Sequence, residues 1–302
     1  MMNDINNNKW TRLKVAGLGE LLWDIFPHGK RLGGAPTNFA CHCQQLGAQA
    51  YPISSVGMDE LGVEATAELN ELGVDVSYVQ VNKEFPTGRV LVDLDETGKP
   101  EYDILENMAW DHLQYTDALD SLARSIDAVC FGVLAQRSEK TRNTIQDFLL
   151  QTPSTALKIL DVNLRAPYFT KELVESSLKI ANVVKLSDEE LPVLAEYFSL
   201  SGEVDQQLKS LRKMFALKHV AYTRGADGSV LVTQDGALET RGVKVTPVDS
   251  VGAGDSFTAA MCIGLLRGMP LAEVNKFANR VAAFVCSNAG AAPVLPASLK
   301  VI

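Results

Sequence analysis

Several features that would assign a protein to a class at once are missing from this sequence. No apolar run approaches the roughly 20 residues that a membrane-spanning helix requires. Residues 1–9 are polar and rich in asparagine, unlike the apolar core of a signal peptide, which predicts a cytoplasmic protein that does not associate with membranes. Cysteine is scarce and odd in number, with five in 302 residues, so we expect reduced thiols rather than a disulfide framework.

Positive charge is also in deficit. The 28 lysines and arginines are outnumbered by 37 aspartates and glutamates, which gives a formal net charge of −9. A chain without a basic surface does not match a phosphate backbone, which argues against nucleic acid as a partner, whereas small phosphorylated molecules need only local positive potential. The Walker A pattern is absent, which disfavours a P-loop kinase. The Gly17-Leu18-Gly19 start of a dinucleotide fingerprint lacks its third glycine, which disfavours a dehydrogenase.

What is present is an ordinary globular balance, with 46% hydrophobic and 22% charged residues. From about residue 125, apolar runs typical of buried strands alternate with segments of helical periodicity. This rhythm predicts an α/β fold in which a mostly parallel central sheet is covered by helices on both faces. The predicted strands are 127–134, 157–164, 182–186 and 219–223, and the predicted helices are 139–151, 171–181, 188–198 and 204–217.

The first hundred residues have a different texture. Residues 87–94 read as a strand, 95–98 have the composition of a turn and 101–105 can form the returning strand, which predicts a β-hairpin outside the α/β alternation. An ordinary pair of strands in the main sheet is the alternative. No linker composition or repeat of fixed period divides the chain, so we expect one domain over residues 1–302 with a small β appendage.

The most informative segment is V-D-S-V-G-A-G-D-S-F at 248–257, which precedes apolar residues at helical spacing up to about Arg267. A helix that begins at Gly254 would place Gly252, Ala253 and Gly254 at its N-terminus, where unpaired N–H groups and the helix dipole favour an anion. Asp255 in the first turn is either a favourable charge for the dipole or a general base beside a bound phosphoryl group. The complete G-A-G-D arrangement favours the general base.

This segment resembles the C-terminal signature of the PfkB, or ribokinase-like, carbohydrate kinases. Three further motifs of that family follow one another in the expected order along the chain, and together with the signature they span nearly its whole length. They are G-G-A-P-T-N at 33–38, G-M-D-E-L-G at 57–62 and T-R-G-A-D-G at 223–228. The chain is most similar to bacterial fructokinases, through L-A-Q-R-S at 134–138, D-V-N-L-R at 161–165 and K-L-S-D-E-E at 185–190.

The resemblance implies a ribokinase-like three-layer α/β/α core and a β lid inserted from about 21–32 and 86–106, which closes over the site and excludes water. It implies that Asp255 is the catalytic base and that Gly252, Ala253 and Gly254 form the anion hole. The substrate residues that it implies are Asp24, Gly33, Gly34, Asn38 and Arg165. Asn38 can also be read as the N-cap of a helix over 39–46, and Arg165 as a surface ion-pair partner.

The same resemblance assigns Thr223, Gly225 and Gly228 to the nucleotide, ATP. Glu190 aligns with the acid that holds the waters of Mg²⁺, although Ser187 replaces the asparagine that ribokinases carry three residues earlier. A solvated helix start is the other interpretation of the acidic run at 188–190. Asp249 and Val251 match the loop where relatives bind a monovalent cation, K⁺. Relatives also pair through their lids, which implies a homodimer.

We therefore expect an ATP-dependent sugar kinase, with fructokinase as the first reading. Kinases for 2-keto-3-deoxygluconate, ribose or nucleosides are the alternatives within the family, and a keto-acid substrate would need a cation such as Arg89, Arg137 or Arg165. A sugar or nucleotide sensor without activity is the alternative from another class, although it would not need the intact Asp255 and anion hole.

Overall fold

A computed structural model of the protein describes residues 12–94 and 100–300. The strands, in chain order, are β1 (Lys14–Leu18), β2 (Leu22–Phe26), β3 (Gly29–Gly33), β4 (Gln49–Gly57), β5 (Val79–Asn82), β6 (Gly88–Leu94), β7 (Pro100–Ile104), β8 (Ala128–Gly132), β9 (Leu157–Asp161), β10 (Val183–Ser187), β11 (His219–Thr223), β12 (Ser229–Thr233) and β13 (Gly236–Thr240). The helices are α1 (Ala35–Gln45), α2 (Glu60–Glu71), α3 (Asp117–Ala123), α4 (Glu139–Gln151), α5 (Lys171–Ile180), α6 (Leu191–Phe198), α7 (Val204–Met214), α8 (Ala253–Leu266), α9 (Leu271–Cys286) and α10 (Ala297–Lys300).

The main sheet has the strand order β13-β12-β11-β10-β9-β8-β1-β4-β5. The pairs from β5 through β11 are parallel, and β12 and β13 continue the sheet antiparallel at one edge. The prediction of a mostly parallel sheet is therefore confirmed. Because parallel strands end at the same edge of a sheet, β1, β9, β10 and β11 deliver the residues that follow them to one side of the molecule.

Helices cover the two faces of the main sheet. Along β8, Ala128 and Cys130 pack in one apolar cluster while Val129 and Phe131 pack in another, as the alternation of side chains along a strand requires. The first cluster includes side chains of α1, α8 and α9, and the second includes those of α3 to α7. No helix within 12–94 and 100–300 is long and apolar enough to cross a membrane.

A second sheet of four strands, which we call the small sheet, has the order β3-β2-β6-β7. Strands β2 and β3 form a hairpin, β2 pairs in parallel with β6, and β6 pairs antiparallel with β7. The segments predicted to form a lid, 21–32 and 86–106, contain these strands, so the hairpin lies outside the main sheet as expected and the alternative of a main-sheet pair is wrong. The predicted turn at 95–98 and the polar segment 1–9 lie outside the described residues.

Most predicted boundaries agree within about two residues, and α4 and β11 match at both ends. Two differences have physical causes. The strand predicted to reach 164 ends at Asp161, because the chain turns at Asn163, whose φ is 36°. The helix predicted from 188 begins at Leu191. Ahead of it, the Glu190 carboxylate accepts hydrogen bonds from the N–H groups of Ser187 (2.7 Å) and Leu164 (3.0 Å) and closes a turn.

The interpretation of Asn38 as a helix N-cap is also wrong. Helix α1 begins at Ala35 and its N-cap is Gly34, so Asn38 lies inside the helix. Its side chain is buried and points away from its own backbone toward α8. The terminal residues of α1 and α8 are thereby brought together.

Candidate active site

Helix α8 begins one residue earlier than predicted, at Ala253, with Gly252 as its N-cap. Gly252 adopts a left-handed backbone (φ 78°), and a Cβ at this position would lie 2.2 Å from the carbonyl oxygen of Ala291. Both the conformation and the close approach require glycine. The N–H groups of Gly254 and Asp255 in the first turn of α8 have no intrahelical acceptor and can bind an anion, whereas the N–H of Ala253 donates to the carbonyl of Ser250 at 3.3 Å.

Asp255, in the first turn of α8, is held by a neighbouring helix. The side-chain amide of Asn38 donates to Oδ2 of Asp255 at 2.8 Å. Burial raises the pKa of Asp255 to about 6 and the carboxylate of Asp161 adds to this rise, while Asn38, Lys185 and Arg165 oppose it. A carboxylate with this pKa is ionised at neutral pH and basic enough to take a proton from a nearby hydroxyl in a reaction.

A buried ion pair lies beneath the start of α8, and the sequence analysis did not single it out. Nζ of Lys185, in β10, lies 3.0 Å from Oδ1 of Asp161, at the end of β9, and both side chains are less than a tenth exposed. The hydroxyl of Thr258, in α8, donates to Oδ2 of Asp161 at 3.0 Å. A Cβ on Gly254 would lie 3.0 Å from the Lys185 ammonium, so this charge lies directly against the predicted anion hole.

Neighbouring carboxylates favour the protonated form of Lys185 despite its burial. Burial by itself lowers the pKa of a lysine, but the carboxylates of Asp161 and Glu190 raise that of Lys185 above its ordinary value. The signal that could have found the pair is the presence of a lysine and an aspartate in two otherwise apolar strands, K-L-S and I-L-D, that end beside each other. Strand adjacency is a property of the fold, so the sequence alone did not pair them.

The side chain of Asp24 lies at the other end of the site. It belongs to β2 of the small sheet, and a Cβ on Gly33 would come 2.8 Å from its Oδ2. A Cβ on Gly34 would lie 2.3 Å from the carbonyl oxygen of Glu20. The glycine pair of the predicted sugar motif therefore permits close approach to β2 and to the segment before it. Burial raises the pKa of Asp24 to about 6, and Arg165 lowers it.

Arg165 is exposed, and its described hydrogen bond is to the carbonyl of the preceding Leu164 (3.3 Å). Its positive charge lowers the pKa of Glu20, Asp24 and Asp255, so the guanidinium lies near all three acids. Arg137, in contrast, is held in an ion pair with Asp111.

The guanidinium of Arg137 pairs with Asp111 at 2.8 Å and stacks on the rings of Trp110 and Tyr168. Of these two cations, Arg165 is the one that a substrate can reach.

The predicted nucleotide residues lie at the carboxyl end of β11, next to the end of β10. Thr223 is the last residue of β11, and Gly225 and Gly228 have positive φ values of 51° and 91° in the turn to β12. A Cβ on Gly228 would come 2.1 Å from the carbonyl oxygen of Thr240, so this turn packs tightly against the end of β13. The turn faces the same edge of the sheet as Glu190.

Glu190 suits an indirect magnesium role. Its two backbone hydrogen bonds occupy two of about four acceptor positions on a carboxylate, and the others can accept from metal-bound water. Asp249 and Val251 lie in the loop before α8, where Oδ1 of Asp249 accepts from the N–H of Val251 at 3.0 Å.

Residues 20–298 match the model of the pfkB family carbohydrate kinases. The chain belongs to this family. A fructokinase from Escherichia coli is 29% identical over 83% of this chain and 84% of its own length.

The structure of a sugar kinase from Pyrococcus horikoshii, in complex with ATP, superposes with a TM-score of 0.80 at 28% identity, covering 93% of this chain and 94% of that chain. A fructokinase from Vibrio cholerae with bound fructose, ADP and calcium ion superposes with a TM-score of 0.82 at 25% identity, covering 95% and 97%. The ribokinase-like fold that the sequence resemblance implied is confirmed, and so is the class of carbohydrate kinase.

Proposed function

We propose that this carbohydrate kinase transfers the γ-phosphoryl group of ATP to the 6-hydroxyl of D-fructose, giving fructose 6-phosphate and ADP. The observation that carries the proposal is the carboxylate of Asp255, fixed by Asn38 in the first turn of a helix whose glycine N-cap exposes an anion-binding N-terminus. The choice of fructose rests on the relatives that are named fructokinase, one of which contains fructose.

On the acceptor side, the hydroxyl group to be phosphorylated approaches Asp255. As its oxygen attacks the γ-phosphorus, Asp255 takes the hydroxyl proton and the bond from the γ-phosphorus to the bridging β–γ oxygen breaks. Asp24 accepts hydrogen bonds from other sugar hydroxyls, and Gly33 and Gly34 let the sugar approach the backbone. Asn38 contributes twice, because it orients the base and contacts the sugar.

On the donor side, the N–H groups at Gly252, Ala253 and Gly254 stabilise negative charge on the transferring group. The buried ammonium of Lys185 lies behind them and adds positive potential.

The nucleotide binds along the turn that contains Thr223, Gly225 and Gly228, next to the exposed valines at 243 and 245. A bound Mg²⁺ would neutralise phosphate charge, and Glu190 would be the residue that holds it through water.

The small sheet serves as the lid in this proposal. Its strands β2 and β3 carry Asp24 and lead directly into the glycine pair, so a movement of the small sheet changes the shape of the sugar pocket. Closure would exclude water and favour transfer to sugar over hydrolysis of ATP. One domain over residues 1–302 and pairing of two chains through the small sheet are further parts of the proposal.

A keto-acid kinase is the second candidate, and Arg165 favours it. The exposed guanidinium lies near Asp24 and Asp255, where the carboxylate of 2-keto-3-deoxygluconate could pair with it. Fructose has no anionic group for this cation, and in a fructokinase Arg165 would instead contact phosphate.

The test is a panel of fructose, 2-keto-3-deoxygluconate, ribose and a nucleoside with ATP and Mg²⁺, measured as ADP release. We expect the highest kcat/KM with fructose. A higher value with the keto acid would support the second candidate. Sugar or nucleotide binding without ADP release for any acceptor would identify a sensor and refute the kinase.

The variant Asp255→Asn tests the mechanism. We expect kcat to fall about 10³-fold, because the variant keeps the shape but cannot take the proton. Asp205→Asn is the matched control, since Asp205 also lies in the first turn of a helix, α7, but on the surface. Turnover of Asp255→Asn within tenfold of the unmodified protein would show that Asp255 is not the base.

A further inference from the structure

The carboxylate of Asp249 is surrounded by N–H donors. Its Oδ1 accepts from the N–H of Val251 at 3.0 Å. Its Oδ2 accepts from the N–H of Gly290 at 3.2 Å and also from Nη1 of Arg31, in a close ion pair. Only about a tenth of the Asp249 side chain is exposed. This is the carboxylate that the sequence resemblance assigned to a monovalent cation.

Arg31 reaches Asp249 from the small sheet. It lies in β3 directly across from Asp24 in β2, so it is carried on the strand pair that enters the sugar site. Its guanidinium lies over the ring of Phe26, 5.3 Å from the centroid. The preceding Lys30 pairs with Glu64 in α2, which anchors β3 to the main body by a second contact.

These contacts leave no place for a monovalent cation on Oδ2 of Asp249. A carboxylate oxygen offers about two acceptor positions, and Gly290 and Arg31 fill both of them. A cation bound beside this oxygen would also face the guanidinium, and two positive charges at this separation repel each other. Oδ2 of Asp249 therefore does not fit the ion.

We infer that the guanidinium of Arg31 replaces the monovalent cation beside the anion hole, so that the kinase activity does not depend on K⁺. The inference rests on the proposed function only in its rate measurements, which require an acceptor that the protein phosphorylates. Asp249 lies three residues before Gly252, and the N–H groups of Val248 and Asp249 both donate to the carbonyl of Cys286 at 2.8 and 3.2 Å. The positive charge of Arg31 is thus applied to a fixed loop that leads into the anion hole.

The source of the charge distinguishes this arrangement from a bound ion. An ion exchanges with solvent and its occupancy depends on its concentration, whereas Arg31 is covalently part of β3 and is always charged at physiological pH. The Arg31 charge is therefore present beside the anion hole whenever β3 is packed against the loop that contains Asp249. Loss of the arginine should therefore leave a carboxylate that a free cation can bind.

The experiment compares initial rates in KCl and in tetramethylammonium chloride at equal ionic strength, for the unmodified protein, Arg31→Gln and Lys30→Gln. We expect the unmodified protein to have the same rate in both salts within twofold. Arg31→Gln should be about tenfold slower in tetramethylammonium chloride and should recover at least threefold in KCl. Lys30→Gln, changed at the neighbouring position of the same strand, should respond like the unmodified protein.

The melting temperature in the two salts provides a readout that needs no turnover. We expect a K⁺-dependent increase for Arg31→Gln and no difference for the unmodified protein. Stimulation of the unmodified protein by K⁺ of more than fivefold, or an increase of its melting temperature in KCl alone, would overturn the inference. So would an Arg31→Gln variant that responds to K⁺ in neither measurement. If no acceptor is phosphorylated, the melting temperatures still decide.

Discussion

Two pairs of opposite charges flank the start of α8, and they differ in almost every physical respect. Lys185 and Asp161 lie on adjacent strands of the main sheet, beneath the anion hole, with less than a tenth of either side chain exposed. Arg31 and Asp249 join the small sheet to the loop before the helix, and about half of the Arg31 side chain is exposed. Each pair brings one positive charge close to the same backbone turn.

The difference shows how a kinase can place positive potential at an anion hole in two ways. The Lys185 charge is fixed in a low-dielectric interior, where it acts strongly but requires the carboxylate of Asp161, which also accepts from Thr258, to compensate its burial. The Arg31 charge is partly screened by solvent and belongs to a strand of the small sheet. The first arrangement is therefore expected to be needed for the fold, and the second for coupling β3 to the site.

The largest expected effect separates the two pairs by stability. Lys185→Met leaves the Asp161 carboxylate buried without its cation, which should lower the free energy of unfolding by about 3 kcal/mol. Arg31→Gln removes one partner of a half-exposed pair and should cost less than about 1 kcal/mol. Urea denaturation followed by circular dichroism measures both values.

A double variant sharpens this result. Lys185→Met combined with Asp161→Asn removes both charges, so it should recover part of the stability that Lys185→Met loses. Equal destabilisation by Arg31→Gln and Lys185→Met would contradict the distinction between the pairs. An additive loss in the double variant would show that the charges of Lys185 and Asp161 do not interact.

The same contrast explains what the sequence could predict. The glycines at 252 and 254 and Asp255 lie within four consecutive residues, and a helix N-terminus is a local structure, so their geometry follows from spacing. Their charged partners come from β9, β10 and β3. Which strands become neighbours is decided by the whole fold, and no local pattern in the sequence records it.

Asn38 is a case in which a local pattern in the sequence led to a wrong structural interpretation. Its residue type and its position before an apolar run favoured an N-cap, a local explanation. Proline at position 36 and a left-handed Gly34 instead begin the helix earlier, which turns Asn38 toward Asp255. The motif resemblance predicts that the residue is part of the site, but its hydrogen bond to Asp255 depends on the packing of α1 against α8.

Glu20 extends the comparison to a buried acid that forms no ion pair within residues 12–94 and 100–300. It is 3% exposed, its Oε1 accepts from the N–H of Ala35 at 3.2 Å, and its Oε2 has no hydrogen-bond partner among the described residues. Burial raises its pKa to about 7 from an ordinary 4.5. Because the folded pKa is the higher one, the protonated acid is favoured in the folded state, and this stability is complete below about pH 4.5 and lost as the pH rises through 7.

Glu20→Gln should therefore stabilise the protein more at high pH than at low pH. The amide cannot ionise, and it can still accept from Ala35. We expect the difference in unfolding free energy between the variant and the unmodified protein to be roughly 2 kcal/mol larger at pH 8 than at pH 5. Urea denaturation at the two pH values measures it, and Glu64→Gln, on the exposed face of α2, is the control. A pH-independent difference would show that Glu20 is ionised throughout.

The smallest effect concerns the pKa of Asp255, to which Asp161 and Asn38 contribute in opposite directions. The carboxylate of Asp161 raises this pKa, whereas the Asn38 hydrogen bond and the charge of Lys185 lower it. Removing the Asp161 charge therefore lowers the pKa of Asp255 for two reasons. The repulsion from Asp161 is lost, and the charge of Lys185, no longer neutralised, favours the ionised carboxylate of Asp255. Removing the Asn38 amide takes away a donor that stabilises the ionised form.

Asp161→Asn should move the acid limb of the kcat/KM profile, expected near pH 6 in the unmodified protein, to lower pH, and Asn38→Ala should move it to higher pH. Each shift should be about half to one pH unit, since one hydrogen bond or nearby charge contributes about that much. Arg31→Gln, which changes the exposed pair, should leave the limb in place when K⁺ is present. Shifts of both variants in the same direction would mean that the limb reports a group other than Asp255.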